Sequence, residues 1–422
     1  MATTRTDRHR QEEIEHMRPA STGRCPVNHA ALSRQKTAPI VEPVEPAIER
    51  DVDGIWHVRG YAEARAILRS GDTKQAGFKA ELLEQMPHTM KAPVLYQEGQ
   101  VHHQQRKQTA RFFTPKATSA NYRQLMQDLS DEMVAHLRRS GRADLSKLSM
   151  ALAVRVASKV IGLTHSHLPG MDRRVDAFFA ETIARPGWNL RAILGMLRNQ
   201  MRVGLFYALD VRPAIRARRR QAQEDVISHL LAQGYQDGEI LTECITYAAA
   251  GMATTREFIS VAAWHFLEQP DLRARYLSGD EEERHRLLQE MLRVKPVVGH
   301  LYRRAVADVL VGSGGAEVTI PAGELIDMHV YAMNADEEVV GEEPLAICPG
   351  RELRVEHAAP AVMSFGDGHH RCPGAFIAIQ ETDIFLHRLL AIDTLRIERT
   401  PTMTWSDVTK GYELRDFWVA VA

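Results

Sequence analysis

A chain of 422 residues with 53 basic and 54 acidic side chains carries a formal charge of −1, which argues against wholesale binding to nucleic acid or a membrane surface, because both need a strong excess of one sign. Its 44% hydrophobic and 25% charged residues are those of an ordinary globular protein, long enough for two or three average domains or one large core. The four cysteines, Cys25, Cys244, Cys348 and Cys372, show no metal-type pairing and a chain this size needs no disulfides, so a reducing cytoplasm is the simplest compartment.

Residues 1–36 read as a polar, mobile N-terminal arm, and residues 37–422 as one domain. The first twenty residues are studded with Arg, Asp, Glu and His and hold no apolar core of a signal peptide or membrane anchor. Nowhere does the chain run to the eighteen or so apolar residues of a spanning helix, so no membrane is expected. Ile55-Trp56-His57-Val58 suggests a short strand, followed by a helix up to Ala76. Residues 77–100 scatter Phe78, Leu82, Leu83, Met86, Met90 and Leu95 among breakers, as a pocket-lining loop does.

His102-His103-Gln104-Gln105-Arg106 opens the next helix, and its four-residue spacing lets His102 and Arg106 share one face and grip one anionic group; a solvated helix start is the plainer alternative. Residues 117–163 read as helical. From Met171 to Arg220 arginines dominate, Arg173, Arg174, Arg185, Arg191, Arg198, Arg202 and Arg216 to Arg220 among them. No stacking aromatics interleave with the Arg216 to Arg220 cluster, so a solvated helical face is favoured over nucleic-acid binding. Phe178, Phe179, Trp188, Met196, Phe206 and Tyr207 are candidates for a pocket face.

Asp237 to Leu267 has a helical pattern some thirty residues long, long enough to be central. Its middle, Ala248-Ala249-Ala250-Gly251-Met252-Ala253-Thr254-Thr255, is built of small residues that let a helix pass close to a flat object. A threonine hydroxyl there can bond back to a carbonyl and open the helix locally. Glu282 to Arg293 is another helix, carrying Glu290 and Arg293 at i,i+3. Val297 to Arg303 reads as a strand, Val318 to Gly323 and Met328 to Met333 as strands about a turn, and Thr409 to Tyr412 as a hairpin tip.

The most informative stretch is Ser364-Phe365-Gly366-Asp367-Gly368-His369-His370-Arg371-Cys372-Pro373-Gly374. It is a glycine-punctuated loop able to lie flat against a large planar group, and it leads into an apolar helix from Ala375 to Leu390. Pro373 presets the first turn, so Cys372 stands at a helix N-terminus, where the dipole and free amides favour thiolate, a soft ligand suited to iron. Cys348-Pro349-Gly350 repeats the tripeptide without the loop or the helix and serves as an internal control.

Phe365-Gly366-x-Gly368-x-His370-x-Cys372-x-Gly374 resembles the haem-binding signature of the cytochrome P-450 family in its soluble bacterial form. The resemblance extends to His102 and Arg106, to Gly251 through Thr254, and to Glu290 and Arg293, in the family's order, and so covers roughly residues 50–422. It implies a mainly α fold with a small β region, a triangular helical prism holding haem b (iron protoporphyrin IX) between the long central helix and the cysteine-loop helix. Cys372 becomes the iron ligand. His102, Arg106, Arg303 and His370 become propionate ligands, Phe365 and Gly374 line the cofactor, and Gly251 and Thr254 handle dioxygen and its protons.

Two positions depart from the family's pattern. Ala253 stands where an acid usually precedes the threonine, leaving Glu257, one turn on, as the candidate proton relay through water. Ala346 stands where a supporting arginine completes the Glu290–Arg293 network, with Arg351 nearby to compensate. The implied activity is a monooxygenase acting on a small organic substrate with electrons from a separate ferredoxin and its reductase. Lys107, Arg111, Lys116, His369 and Arg371 are candidate docking charges. A peroxide-driven or oxidative-coupling enzyme and a non-enzymatic haem sensor or carrier are the alternatives.

Overall fold

The computed structural model describes residues 46–78, 80, 91–179, 190–312 and 317–422. The expected arm at 1–36, together with Leu82, Leu83, Met86, Met90, Arg185 and Trp188 and the side chains of Phe178, Phe179 and Arg191, lies outside what is described.

Helices build most of the molecule, and the core is theirs. One large apolar cluster joins helices Arg123–Ser140, Leu145–Ile161, Thr254–Glu268, Glu281–Val294 and Ala375–Leu390. The run read as one helix from 117 to 163 is broken at Gly141, whose φ of 72° closes the first helix. Asp144 then starts the second, its carboxylate accepting the Ser146 amide at 3.1 Å. Buried Leu129, Met133 and Leu137 on the first helix keep the 3.6-residue register that packs it against the cysteine helix.

The long central helix runs without interruption from Asp237 to Glu268. It is α-helical from Asp237 to Tyr247, widened to a π-helix over Ala248–Ala253, and α-helical again from Thr254. The widening coincides with the small-residue stretch, and Thr254 Oγ1 donates to the Ala250 carbonyl at 2.5 Å, the back-bond expected of it.

A five-stranded sheet flanks the helices. Its strands are β1 (Ile48–Arg50), β2 (Trp56–Val58), β3 (Thr73–Ala76), β4 (His300–Ala305) and β5 (Leu325–His329), in the spatial order β1-β2-β5-β4-β3. β2 and β5 are parallel and the other pairs antiparallel. The stretch expected to be strand from Met328 to Met333 turns helical at Val330. The C-terminal hairpin, Thr402–Trp405 against Tyr412–Arg415, brings its tip back onto Val297 and Gly299, with the Gly299 amide donating to the Thr409 carbonyl at 2.8 Å. A Cβ on Gly299 would stand 1.8 Å from the Lys410 carbonyl oxygen, so only glycine admits this contact.

Part of the arginine-rich segment is neutralised by ion pairs. Arg174 makes a two-pronged pair with buried Asp210 at 2.8 and 2.7 Å, Arg218 pairs with Asp225, and Arg219 pairs with Asp237. Among the described residues, no helix is long and apolar enough to cross a membrane.

Candidate active site

The loop before Cys372 is held from outside by the helix Tyr61–Arg69. Arg69 donates to both oxygens of Asp367 at 3.1 and 3.2 Å, Arg65 lies 3.3 Å from the same carboxylate, and Asp367 accepts the Gly368 amide at 2.7 Å. Burial pushes the Asp367 carboxyl up, yet the Arg69 bond, the Gly368 amide and the two arginine charges together hold it below its ordinary range. Gly366 and Gly368 have φ near +65°. A Cβ on Gly368 would lie 2.2 Å from the Leu68 carbonyl oxygen, so this glycine is what lets the loop close on the helix end. The Cys372 amide donates to the Phe365 carbonyl at 2.8 Å, which curls the loop over the sulfur.

Cys372 is half-buried at the N-terminal end of the helix Ala375–Leu390. The donors expected there are present: the Gly374 and Ala375 amides and the charges of Arg106 and Arg371 all favour thiolate. Burial outweighs them in the free chain and pushes the thiol up, which corrects the expectation from the helix dipole alone. Cys348 has a different role, its amide donating to Glu290 Oε1 at 3.1 Å.

His102, Arg106, Arg303 and His370 converge from three separate segments. The His102 and His370 rings stack at 4.1 Å, Arg106 donates to the Arg371 carbonyl, and His370 Nε2 lies 3.0 Å from Glu98 Oε2. Arg303 is 4% exposed and donates to Gln75 and to the carbonyl of Tyr302. Burial pushes its guanidinium down to about 10, the Glu98 charge opposing. Burial likewise lowers His102 to about 3, assisted by the charges of His370 and Arg106. Its Nδ1 is buried with no hydrogen-bond partner. A buried imidazole nitrogen without a partner, beside two arginines and a second histidine, is a site short of an anionic acceptor.

Sequence reasoning missed Glu98. Its carboxylate accepts the Gln75 amide at 2.6 Å and His370, and so occupies part of the same cationic ground. It precedes the helix Gly99–Thr109 and belongs to no motif, so only the fold could reveal it.

On the central helix, Gly251, Ala253 and Thr254 are half-buried. A Cβ on Gly251 would meet only Ala157 Cβ, at 4.0 Å, so protein packing does not demand glycine there. Glu257 is drawn towards other partners. Its carboxylate is 3% exposed, with Oε1 accepting Arg256 at 2.8 Å and Arg415 at 2.6 Å, and Oε2 accepting the Leu414 amide at 2.7 Å. It ties the helix to the C-terminal hairpin, and one acceptor position on Oε2 is what these bonds leave for water.

Beneath the cysteine loop, Arg293 grips Glu290 with two bonds of 2.7 Å and donates to the carbonyls of Asn334 and Pro344. Arg351 takes the place left open by Ala346. It donates to Glu290 Oε1 at 2.9 Å and to the carbonyls of Val340, Glu342, Glu343 and Ala346.

A family model described as cytochrome P450 matches residues 285–400. Cytochrome P450 130 of Mycobacterium tuberculosis is 26% identical, over 71% of each chain. The biotin biosynthesis cytochrome P450 of Bacillus subtilis is 25% identical over 85% of this chain and 86% of its own. Among solved structures, a P450 EryK mutant in complex with erythromycin B has a TM-score of 0.71 at 21% identity, covering 89% of this chain and 93% of the other. P450BioI in complex with hexadec-9Z-enoic acid-ligated acyl carrier protein also has a TM-score of 0.71 at 21% identity, over 94% and 99%. In sequence over residues 285–400 and in fold over most of its length the chain is similar to cytochromes P450, and relatives so named mark it as an oxidoreductase of that kind. That family carries haem. The residues present fit such a group: a sulfur at a helix N-terminus, a flat glycine loop, and a cationic cluster with an unsatisfied buried nitrogen.

Proposed function

We propose that this protein is a haem-thiolate monooxygenase that inserts one atom of dioxygen into a small organic substrate, taking electrons from a separate ferredoxin. The observation that carries the reading is Cys372, set at a helix N-terminus under a loop clamped by Arg65 and Arg69.

Cys372 would hold the iron of haem b, while His102, Arg106, Arg303 and His370 would hold its carboxylates, with Phe365 and Gly374 against its face. Bound through a thiolate, haem supplies dioxygen activation, because sulfur donation favours O–O cleavage. The chain's own part is orientation and protons. The Thr254 hydroxyl, bonded to Ala250, is the group able to pass a proton at the widened helix. Ala253 offers no carboxylate and Glu257 is tied to Arg256, Leu414 and Arg415, so protons would arrive by water or from the substrate. Lys107, Arg111, Lys116, His369 and Arg371 are all exposed, and they are the charges on which an acidic ferredoxin would dock.

The test is substrate-dependent NAD(P)H consumption with a ferredoxin and its reductase, after a screen for compounds that shift the haem spin state. Consumption coupled to product, weakened by salt and by Arg371→Glu, supports the reading. Ala253 favours one second reading, a peroxide-driven enzyme of the same fold. Turnover with hydrogen peroxide that survives Thr254→Ala, without NAD(P)H-linked turnover, would establish that instead.

A further inference from the structure

One cluster of ionisable side chains has no part in this chemistry. In the five-stranded sheet, His57 of β2 pairs with Asp327 of β5, while His300 and Tyr302 of β4 pair with His329 and Asp327. Paired residues share a face, so period-two alternation gathers His57, His300, Tyr302, Asp327 and His329 on one side of the sheet. Leu301 and Arg303 alternate onto the other side, and Leu301 there approaches Gly366 of the cysteine loop. The cluster therefore lies on the reverse of the strand that presents Arg303.

Three of these side chains bring one ligating atom each close together. His57 Nδ1 lies 2.9 Å from His329 Nε2 and 3.7 Å from Asp327 Oδ2, and His329 Nε2 lies 3.8 Å from that same oxygen. A point equidistant from three atoms so spaced is about 2.0 Å from each, the length of a zinc–imidazole or zinc–carboxylate bond. The donors are also backed from behind. His57 Nε2 bonds Asp51 Oδ2 at 2.9 Å, which leaves Nδ1 as the lone-pair nitrogen. His300 Nδ1 meets both oxygens of Asp327, Oδ1 at 2.8 Å and Oδ2 at 3.0 Å. His57 is 20% exposed, while His329 and Asp327 are under 10%, so solvent reaches the point from one side. Without an ion, one imidazole must carry a proton between His57 and His329; a cation there replaces that proton.

We propose that His57, Asp327 and His329 form a binding site for a borderline divalent cation, zinc being the best match, with water as the fourth ligand. Two imidazoles and one carboxylate suit such an ion better than magnesium or calcium, which favour all-oxygen shells. The ion staples β2 to β5 and, through His300 and Asp327, to β4, so its role is structural.

The test uses the full haem-loaded chain, stripped with chelator and dialysed against micromolar zinc, with bound metal counted per chain and affinity measured by calorimetry. His103→Gln is the control, because His103 and His369 form another close histidine pair, 2.9 Å apart. We expect one zinc per chain in the native protein and in His103→Gln, with a higher melting temperature when zinc is bound, and loss of that zinc in His57→Gln and His329→Gln. Asp51→Asn keeps the turn, because its remaining oxygen still accepts the Asp53 and Ile55 amides, and should weaken binding by about tenfold or more. Zinc uptake unchanged in His57→Gln and Asp51→Asn, uptake lost in His103→Gln instead, or no stoichiometric zinc at all would overturn the proposal and leave a metal-free hydrogen-bonded network.

Discussion

Replacing Arg351 by methionine keeps the apolar stem of the side chain but removes the guanidinium with its charge and every donor. The side chain is 9% exposed, and it donates to Glu290 and to four backbone carbonyls. Arg293 and the Cys348 amide would still hold Glu290, so the carboxylate does not become isolated. The loss is one arm of a buried ion network plus carbonyls left short of donors. Losing a charge-assisted hydrogen bond to a carboxylate that keeps its other partners costs about 1.5–3 kcal/mol. With an unfolding entropy of roughly 2 cal/mol/K per residue, a chain of this length has a transition that moves about 1 °C per kcal/mol, so Arg351→Met should lower the melting temperature by about 2–3 °C. Thermal unfolding of the haem-loaded protein by circular dichroism measures it, with Arg351→Lys as an intermediate case because ammonium cannot bridge the same carbonyls. A drop below about 1 °C would refute the view that Arg351 replaces the arginine missing at position 346.

Glu243 gives a pH signature. Burial raises its carboxyl from 4.5 to about 7, against the bonds from Gln105 and the Val94 amide, so between those values the folded chain keeps a proton the unfolded chain has lost. Stability should therefore fall as pH rises through that window, by about 2.5 kcal/mol between about pH 5 and about pH 8, and Glu243→Gln should remove this part of the slope. An unchanged slope in denaturant titrations would contradict it. The two loop glycines separate backbone strain from collision. Gly366→Ala meets only Leu301 Cδ1 at 3.9 Å and should cost the left-handed backbone penalty of about 1–2 kcal/mol. Gly368→Ala adds the clash with Leu68 and should lose markedly more stability and haem content. Equal costs in the two variants would mean the loop does not need the Leu68 approach.

The features legible in the sequence were those whose residues are contiguous or lie on one helix. Residues 364–374 specify loop, cysteine and helix together, and His102 with Arg106 share a face by spacing alone. The central helix announced itself by length, and its π-widening by small residues ending in Thr254. Glu257 shows the limit of that logic: i,i+3 spacing put it on the side of Thr254, but its partners, Leu414 and Arg415, come from a hairpin more than 150 residues away. Glu98 and the cluster of His57, His300, Asp327 and His329 were invisible for the same reason, since strand pairing assembles them from distant segments. The thiol of Cys372 was read from its helix terminus, whereas its burial is a property of the whole core.

If Cys372 ligates iron as a thiolate, the absorption spectrum of the reduced protein with carbon monoxide shows a strongly red-shifted Soret band, lost in Cys372→His and kept in Cys348→Ala. A band without that shift in the native protein, or one that survives Cys372→His, would contradict it.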